Sequence, residues 1–166
     1  MNKNLDELAA AVVDGLRNRG LSLSLAESCT GGMIAGTITD IPGASDIFYG
    51  SAVTYINDAK ENILGVTHET LEKHGAVSEE CAREMAEGSR RIYRADVAMS
   101  VTGIAGPGGG SELKPVGTVW FGFNSADGTQ AFRCCFDGSR SDVRRQTIER
   151  VLTYLLEKYP VEGSEK

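Results

Sequence analysis

The sequence predicts a single-domain α/β protein, a three-layer α/β/α sandwich around a mixed β-sheet. Three observations predict it. Segments with helical spacing alternate with short apolar runs along the chain. VAMSV (97–101) is almost continuously apolar, as an interior strand covered on both faces would be. VGTVWFGF (116–123) and TQAFRCCF (129–136) read as two strands joined across Asp127-Gly128, an antiparallel hairpin that rules out an all-parallel sheet. The 166 residues suit one domain, 1–166, with an ordered core of about 5–158. A domain of this size buries roughly 70% of its unfolded surface and needs no covalent staple.

Each element has its own signal. Leu5, Leu8, Ala9, Val12 and Leu16 form one stripe of a helix over 5–19, and Gly20 is placed for a left-handed cap. LSLSLA (21–26) alternates as a strand with one buried side. A polar turn, Glu27 to Gly32, leads into a short apolar helix at about 31–39. After the Pro42-Gly43 turn, SAVTYI (51–56) reads as a strand, and Asn57 or Asp58 can cap the helix carrying Lys60, Ile63 and Leu64. A short helix near 68–74 stops at Gly75, and Ser78 opens a longer one to about Tyr93. Ser141 can cap a last helix striped by Ile148, Val151, Leu152 and Leu155, which ends before Pro160; the tail VEGSEK should fray.

Composition excludes several classes of function. No stretch reaches the ~20 apolar residues of a membrane span, and MNKNLDELAA lacks the apolar core of a signal peptide, so a cytoplasmic location is expected. The four cysteines show no C-x-x-C spacing, and Cys134-Cys135 would point to opposite faces of a strand; reduced thiols and no bound metal are expected. The 17 Lys+Arg against 23 Asp+Glu, net charge −6, argue against a non-specific grip on nucleic acid. A small anionic ligand remains compatible, because a few local cations or backbone N–H groups can hold one phosphate.

Three segments and Arg140 carry candidate chemistry. Ser28 lies in a tight strand-to-helix turn followed by Thr30-Gly31-Gly32, where a hydroxyl is exposed and the first helical N–H groups are left for an oxyanion or phosphate. A capping role for Ser28 or Thr30 is the alternative. Cys29 should be buried and inert, since adjacent side chains diverge. A serine nucleophile needs a base. His68 and His74 lie on polar helical segments and should be solvated, whereas Lys60, just after Tyr55, could lean into a cleft where burial lowers its pKa. A solvated Lys60 is the alternative. The glycine-rich loop from Gly103 to Gly110 could bring backbone N–H groups to an anion, although it matches no nucleotide fingerprint and could be a plain connection. Arg140 could pair with a phosphate or stay in solvent.

Several long motifs fall in a familiar order: A-E-S-C-T-G-G (26–32), V-T-Y-x-N-x-A-K (53–60), H-G-A-V-S (74–78), T-G-I-A-G-P-x-G-G (102–110), K-P-V-G-T-V-W (114–120) and the G-x-R at Arg140. From about residue 5 to 157 the chain resembles the CinA C-terminal domain family of competence/damage-inducible proteins, whose stand-alone members are nicotinamide-nucleotide amidases. The resemblance implies hydrolysis of the carboxamide of nicotinamide mononucleotide to the nicotinate form and ammonia in pyridine nucleotide salvage, with no cofactor. It implies Ser28 as nucleophile, Lys60 as base and Tyr55 as their partner. It places the substrate on Thr30, Gly31 and Gly32 and on the loop residues Gly103, Ile104, Ala105, Gly106 and Gly109, with Arg140 on the phosphate. Larger members carry an N-terminal metal-dependent pyrophosphatase domain that has no counterpart here, so that activity is not expected. A homodimer is an expectation from the family. One departure stands out: the usual T-Y-S-N reads T-Y-I-N, and on a strand Ile56 should face away from Tyr55.

Two rival functions remain at this level. A catalytically weak or inactive nucleotide-binding or regulatory paralogue would keep the pocket without the reaction. A tyrosine-lysine dehydrogenase would use Tyr55 and Lys60, though their spacing is one residue longer than Y-x-x-x-K and no dinucleotide fingerprint opens the chain.

Overall fold

The alternation of large and small side chains along the strands decides the layering. A computed structural model describes residues 4–163, so 164–166, the end of the tail expected to fray, lie outside the described residues. The elements in chain order are α1 (Leu5–Arg17), β1 (Leu23–Glu27), α2 (Met33–Thr39), β2 (Phe48–Val53), α3 (Asn57–Leu64), α4 (His68–His74), α5 (Glu79–Tyr93), β3 (Val97–Gly103), β4 (Thr118–Ser125), β5 (Gly128–Cys135) and α6 (Arg140–Lys158). The five strands form one sheet in the order β2-β1-β3-β4-β5. β2, β1 and β3 run parallel; β4 and β5 complete the sheet as antiparallel neighbours.

Large residues on one sheet face, including Leu23, Leu25, Met99, Val101 and Phe121, pack under α1, α2 and α6 in the main apolar core. On the opposite face the sheet centre presents small residues, Ser24, Ala26, Ala98, Ser100 and Gly122, and α5 lies close upon them, flanked by α3 and α4. There Ser89 donates to Ser24 Oγ (2.9 Å) and Ser100 donates to the Ala82 carbonyl (2.6 Å), while a Cβ at Gly122 would collide with that same carbonyl. The expectation of one buried side for β1 is therefore corrected. All five of its residues are buried, because its small serine and alanine positions admit a helix and its one hydroxyl, on Ser24, finds a partner.

Other boundaries also move. β2 begins at Phe48 and leaves the sheet at Val53, since it pairs with β1 from Leu23↔Phe48 to Glu27↔Val53. Tyr55 and Ile56 thus follow the strand, and Ile56 itself is the N-cap of α3, without a side-chain cap from Asn57 or Asp58. Ile56 is 63% exposed and points to solvent. α6 is capped by Ser139 in place of Ser141, in a reciprocal capping box with Asp142. The hairpin turns through Ala126-Asp127, one residue earlier than expected, with Gly128 pairing Ser125 at φ +118°. α2 starts at Met33, because Gly31 and Gly32 hold left-handed conformations (φ +60° and +95°). Among the described residues no helix is long and apolar enough to cross a membrane.

Candidate active site

β1 and β3 are neighbours, yet the chain leaves β1 towards β2 and reaches β3 only after α3–α5 on the opposite face. Their carboxyl ends therefore flank a switch point of the sheet, where a crevice opens. Ser28 follows β1 directly, and its N–H donates to the Val101 carbonyl of β3 (3.1 Å). The crevice is a cleft of about 200 Å³. Ser28, Cys29 and Gly103 form its sheet side, with Tyr55, Asn57 and Lys60 on one flank. Ala76 and Val77 enter from the loop before α5, held by Thr102 Oγ1 donating to the Ala76 carbonyl (2.9 Å). Among the described residues no acidic side chain lines the cleft, whereas Lys60 and Arg140 do.

Lys60 is 1% exposed and Ser28 8%. Lys60 Nζ lies 3.0 Å from Ser28 Oγ and donates to the carbonyls of Thr54 (2.7 Å) and Tyr55 (3.2 Å). The chain's early exit from β2 turns those carbonyls inward. Loss of hydration on burial holds the Lys60 ammonium below its ordinary value of 10.5. Beside it the wholly buried Thr54 hydroxyl has no hydrogen-bond partner among the described residues. Cys29 is buried, and burial pushes its thiol up to about 11; Cys81 rises to about 12 for the same reason. Neither thiol is poised as a thiolate nucleophile at neutral pH.

Tyr55 differs from expectation. Its ring is exposed, and its hydroxyl accepts from Arg140 (2.9 Å) rather than bridging Ser28 and Lys60. Its backbone carbonyl, not its phenol, contacts the lysine. A tyrosine-lysine dehydrogenase pairing is thereby absent. Arg140 also donates to the Gly106 carbonyl (2.9 Å), joining α6 to the glycine-rich loop across the cleft. His68 and His74 stay away from the cleft; His68 pairs with Glu61 (2.9 Å), which raises its pKa.

The expected substrate contacts divide. Gly103, Ala105 and Arg140 line the cleft; Ile104, Gly106 and Gly109 do not. Ile104 is tied into the end of the sheet through Thr118 and Gly117, and Gly106 is buried beside Val116. Thr30, Gly31 and Gly32 also fall outside the lining, and the amides at the helix start are not free. Glu27, wholly buried, takes them: its carboxylate accepts from Gly32 N (3.1 Å), Ile34 N (3.0 Å) and Ala35 N (2.9 Å). It also accepts from the hydroxyls of Thr30 (2.7 Å) and Ser51 (3.0 Å). Gly31 N donates to the Ser28 carbonyl (3.1 Å). The amides of Cys29 and Ala105, both at the cleft, make no hydrogen bond to another described residue.

Sequence reasoning missed Glu27, Asn57 and Thr102. The signal for Glu27 was a carboxylate placed directly after an apolar strand; its five donors lie up to 24 residues away and could not be read locally. Among the described residues no cluster of three or more His, Cys, Asp or Glu is arranged to hold a metal ion.

The CinA C-terminal domain model matches residues 5–159. The chain belongs to the CinA C-terminal domain family. Within it, a Shigella flexneri protein named nicotinamide-nucleotide amidohydrolase PncC is 49% identical over 159 residues, 95% of this chain and 96% of that one. A CinA superfamily crystal structure from Klebsiella pneumoniae superposes with a TM-score of 0.91 at 38% identity, covering 95% of this chain and 98% of the other. The competence/damage-inducible protein CihA from Agrobacterium tumefaciens gives 0.90 at 42% identity, with 95% and 96% coverage.

Proposed function

We propose that this CinA-family protein is a nicotinamide-nucleotide amidohydrolase that deamidates nicotinamide mononucleotide through a Ser28–Lys60 dyad. The observation carrying the mechanism is the 3.0 Å approach of a buried lysine amine to the Ser28 hydroxyl in an otherwise neutral to cationic cleft. The substrate class comes from the relative named above, which covers nearly all of this chain. An anionic nucleotide also suits a cleft that Arg140 lines and whose described lining holds no carboxylate.

The lysine's contacts favour a base over a counter-ion. A neutral amine has two hydrogens, and the Thr54 and Tyr55 carbonyls accept two. Its lone pair then faces Ser28 Oγ, ready to take the hydroxyl proton. Ser28 Oγ attacks the carboxamide carbon as that proton passes to Lys60. The developing oxyanion meets the Cys29 N–H, the amide directly after the nucleophile, with the Ala105 N–H as second donor. Lys60 returns the proton as the C–N bond breaks, and ammonia leaves. Lys60 next takes a proton from water, which attacks the acyl-enzyme, and the acid departs with Ser28 restored. Arg140 holds the phosphate end, its guanidinium exchanging the Tyr55 hydroxyl for phosphate oxygens.

The test is ammonia release from nicotinamide mononucleotide by the wild type and by Ser28→Ala, Lys60→Ala and Tyr55→Phe. The first two should lose at least about 1,000-fold in kcat. Tyr55→Phe should lose less than about tenfold, because the phenol touches neither reacting group. Full turnover by Ser28→Ala would refute the nucleophile.

A further inference from the structure

We propose that Arg144, on α6, is a positioning residue whose guanidinium, by holding two carbonyls of the turn after Ser28, aims the Cys29 N–H and the Ser28 hydroxyl at the reacting amide. This rests on the reading of Ser28 as nucleophile. Arg144 Nε donates to the Cys29 carbonyl and Nη2 to the Thr30 carbonyl, both at 3.0 Å. It contacts no group assigned above to the reaction.

A chain of peptide planes transmits this grip. In a trans peptide the C=O and the following N–H point in opposite directions. Fixing the Thr30 carbonyl on Arg144 therefore fixes the Gly31 N–H, which donates to the Ser28 carbonyl. Fixing the Ser28 carbonyl in turn sets the direction of the Cys29 N–H, the cleft amide that donates to no other described residue. Two rigid peptide planes, linked by one hydrogen bond, thus join the guanidinium to the oxyanion donor.

The turn needs such a grip. Gly31 and Gly32 are both left-handed, and glycine restrains its own dihedrals least of all residues. Glu27 holds the turn from one side by its N–H groups and the Thr30 hydroxyl; Arg144 holds it from the other by its C=O groups. Carbonyls one residue apart match the fork of a guanidinium, and a lysine ammonium cannot reproduce that planar, two-armed contact. Arg145, next along α6, is exposed and serves as the matched control.

The experiment compares wild type, Arg144→Ala, Arg144→Lys and Arg145→Ala. It reads kcat and KM for nicotinamide mononucleotide, the rate of Ser28 labelling by a fluorophosphonate followed by intact mass, and Tm. Both Arg144 variants should lose about 10- to 100-fold in kcat with KM changed less than about threefold. Labelling should slow in parallel, Arg145→Ala should match wild type, and added guanidinium should recover turnover in Arg144→Ala alone. Retained kcat in a folded Arg144→Ala overturns the proposal; so does a loss that guanidinium does not restore or that falls on KM. If Arg144→Ala does not fold, Arg144→Lys decides by the same kcat and labelling readouts. A wild type labelled at Ser28 but inert towards the nucleotide would remove the substrate and leave Arg144 testable. A wild type that is never labelled would instead remove Ser28 as nucleophile.

Discussion

At the residue scale, burial of Lys60 carries an electrostatic cost. Its folded pKa lies below the ordinary 10.5, so between those two values the unfolded chain binds more protons than the folded one. Stability contributed through Lys60 therefore rises with pH across that window, and the penalty is complete on its acid side. Lys60→Met lacks this dependence. Denaturant unfolding at about pH 8 and about pH 10 should show wild type gaining on Lys60→Met as pH rises. The kcat/KM profile should carry an ascending limb set by the same ionisation, displaced below 10.5. A profile flat through that range would remove Lys60 as the base. Ser28 and Lys60 were legible as a pair because motif and residue type both marked them. The phenol of Tyr55 was misplaced because β2 ends earlier than its apolar run suggests, a boundary set by pairing with β1 and by no local feature. The Glu27 carboxylate was missed as an anchor because most of its donors belong to a helix start whose amides were expected to be free.

At the scale of elements, α6 brings two arginines to the site, so its N-terminal geometry matters beyond stability. Ser139 Oγ accepts from Asp142 N (3.3 Å), and the Asp142 carboxylate accepts from Ser139 N (2.8 Å). Ser139→Ala should cost about 1 kcal/mol in urea unfolding, whereas Ser141→Ala should be nearly silent. Equal effects at the two serines would contradict the observed cap. The existence and type of most elements could be read from periodicity, and Ser78 was recognised as the cap of α5. The cap of α6 was misread because the stretch offers two serines, and the choice depends on which one has an acidic residue three positions later. Strand alternation likewise suggested a single buried face for β1. It could not reveal that α5 presents serine and alanine to the other face and comes close enough to bury it.

For the whole molecule, the seam between α5 and the sheet has no spare room. A Cβ at Gly122 meets both the Ala82 carbonyl and Ser100 Oγ, and one at Gly88 meets the Leu64 carbonyl at the end of α3. Gly122→Val should destabilise by roughly 2–3 kcal/mol through overpacking. Because α5 must shift, the Ala76–Val77 wall of the cleft moves with it, and KM for the nucleotide should rise while far-UV circular dichroism is unchanged. Unaltered Tm and KM would show that the seam yields elsewhere. The three-layer architecture was readable from the order of elements; the order of strands was not, since parallel partners are chosen by contacts far apart in the chain. That same separation bears on biosynthesis. The carbonyl clamp on the Ser28 turn arrives from one residue, Arg144, 115 positions beyond Cys29 and 114 beyond Thr30. A nascent chain, or a fragment cut before α6, would carry the hydroxyl and the amine without Arg144, so the proposed alignment predicts that reactivity towards acyl donors waits for the last helix to dock.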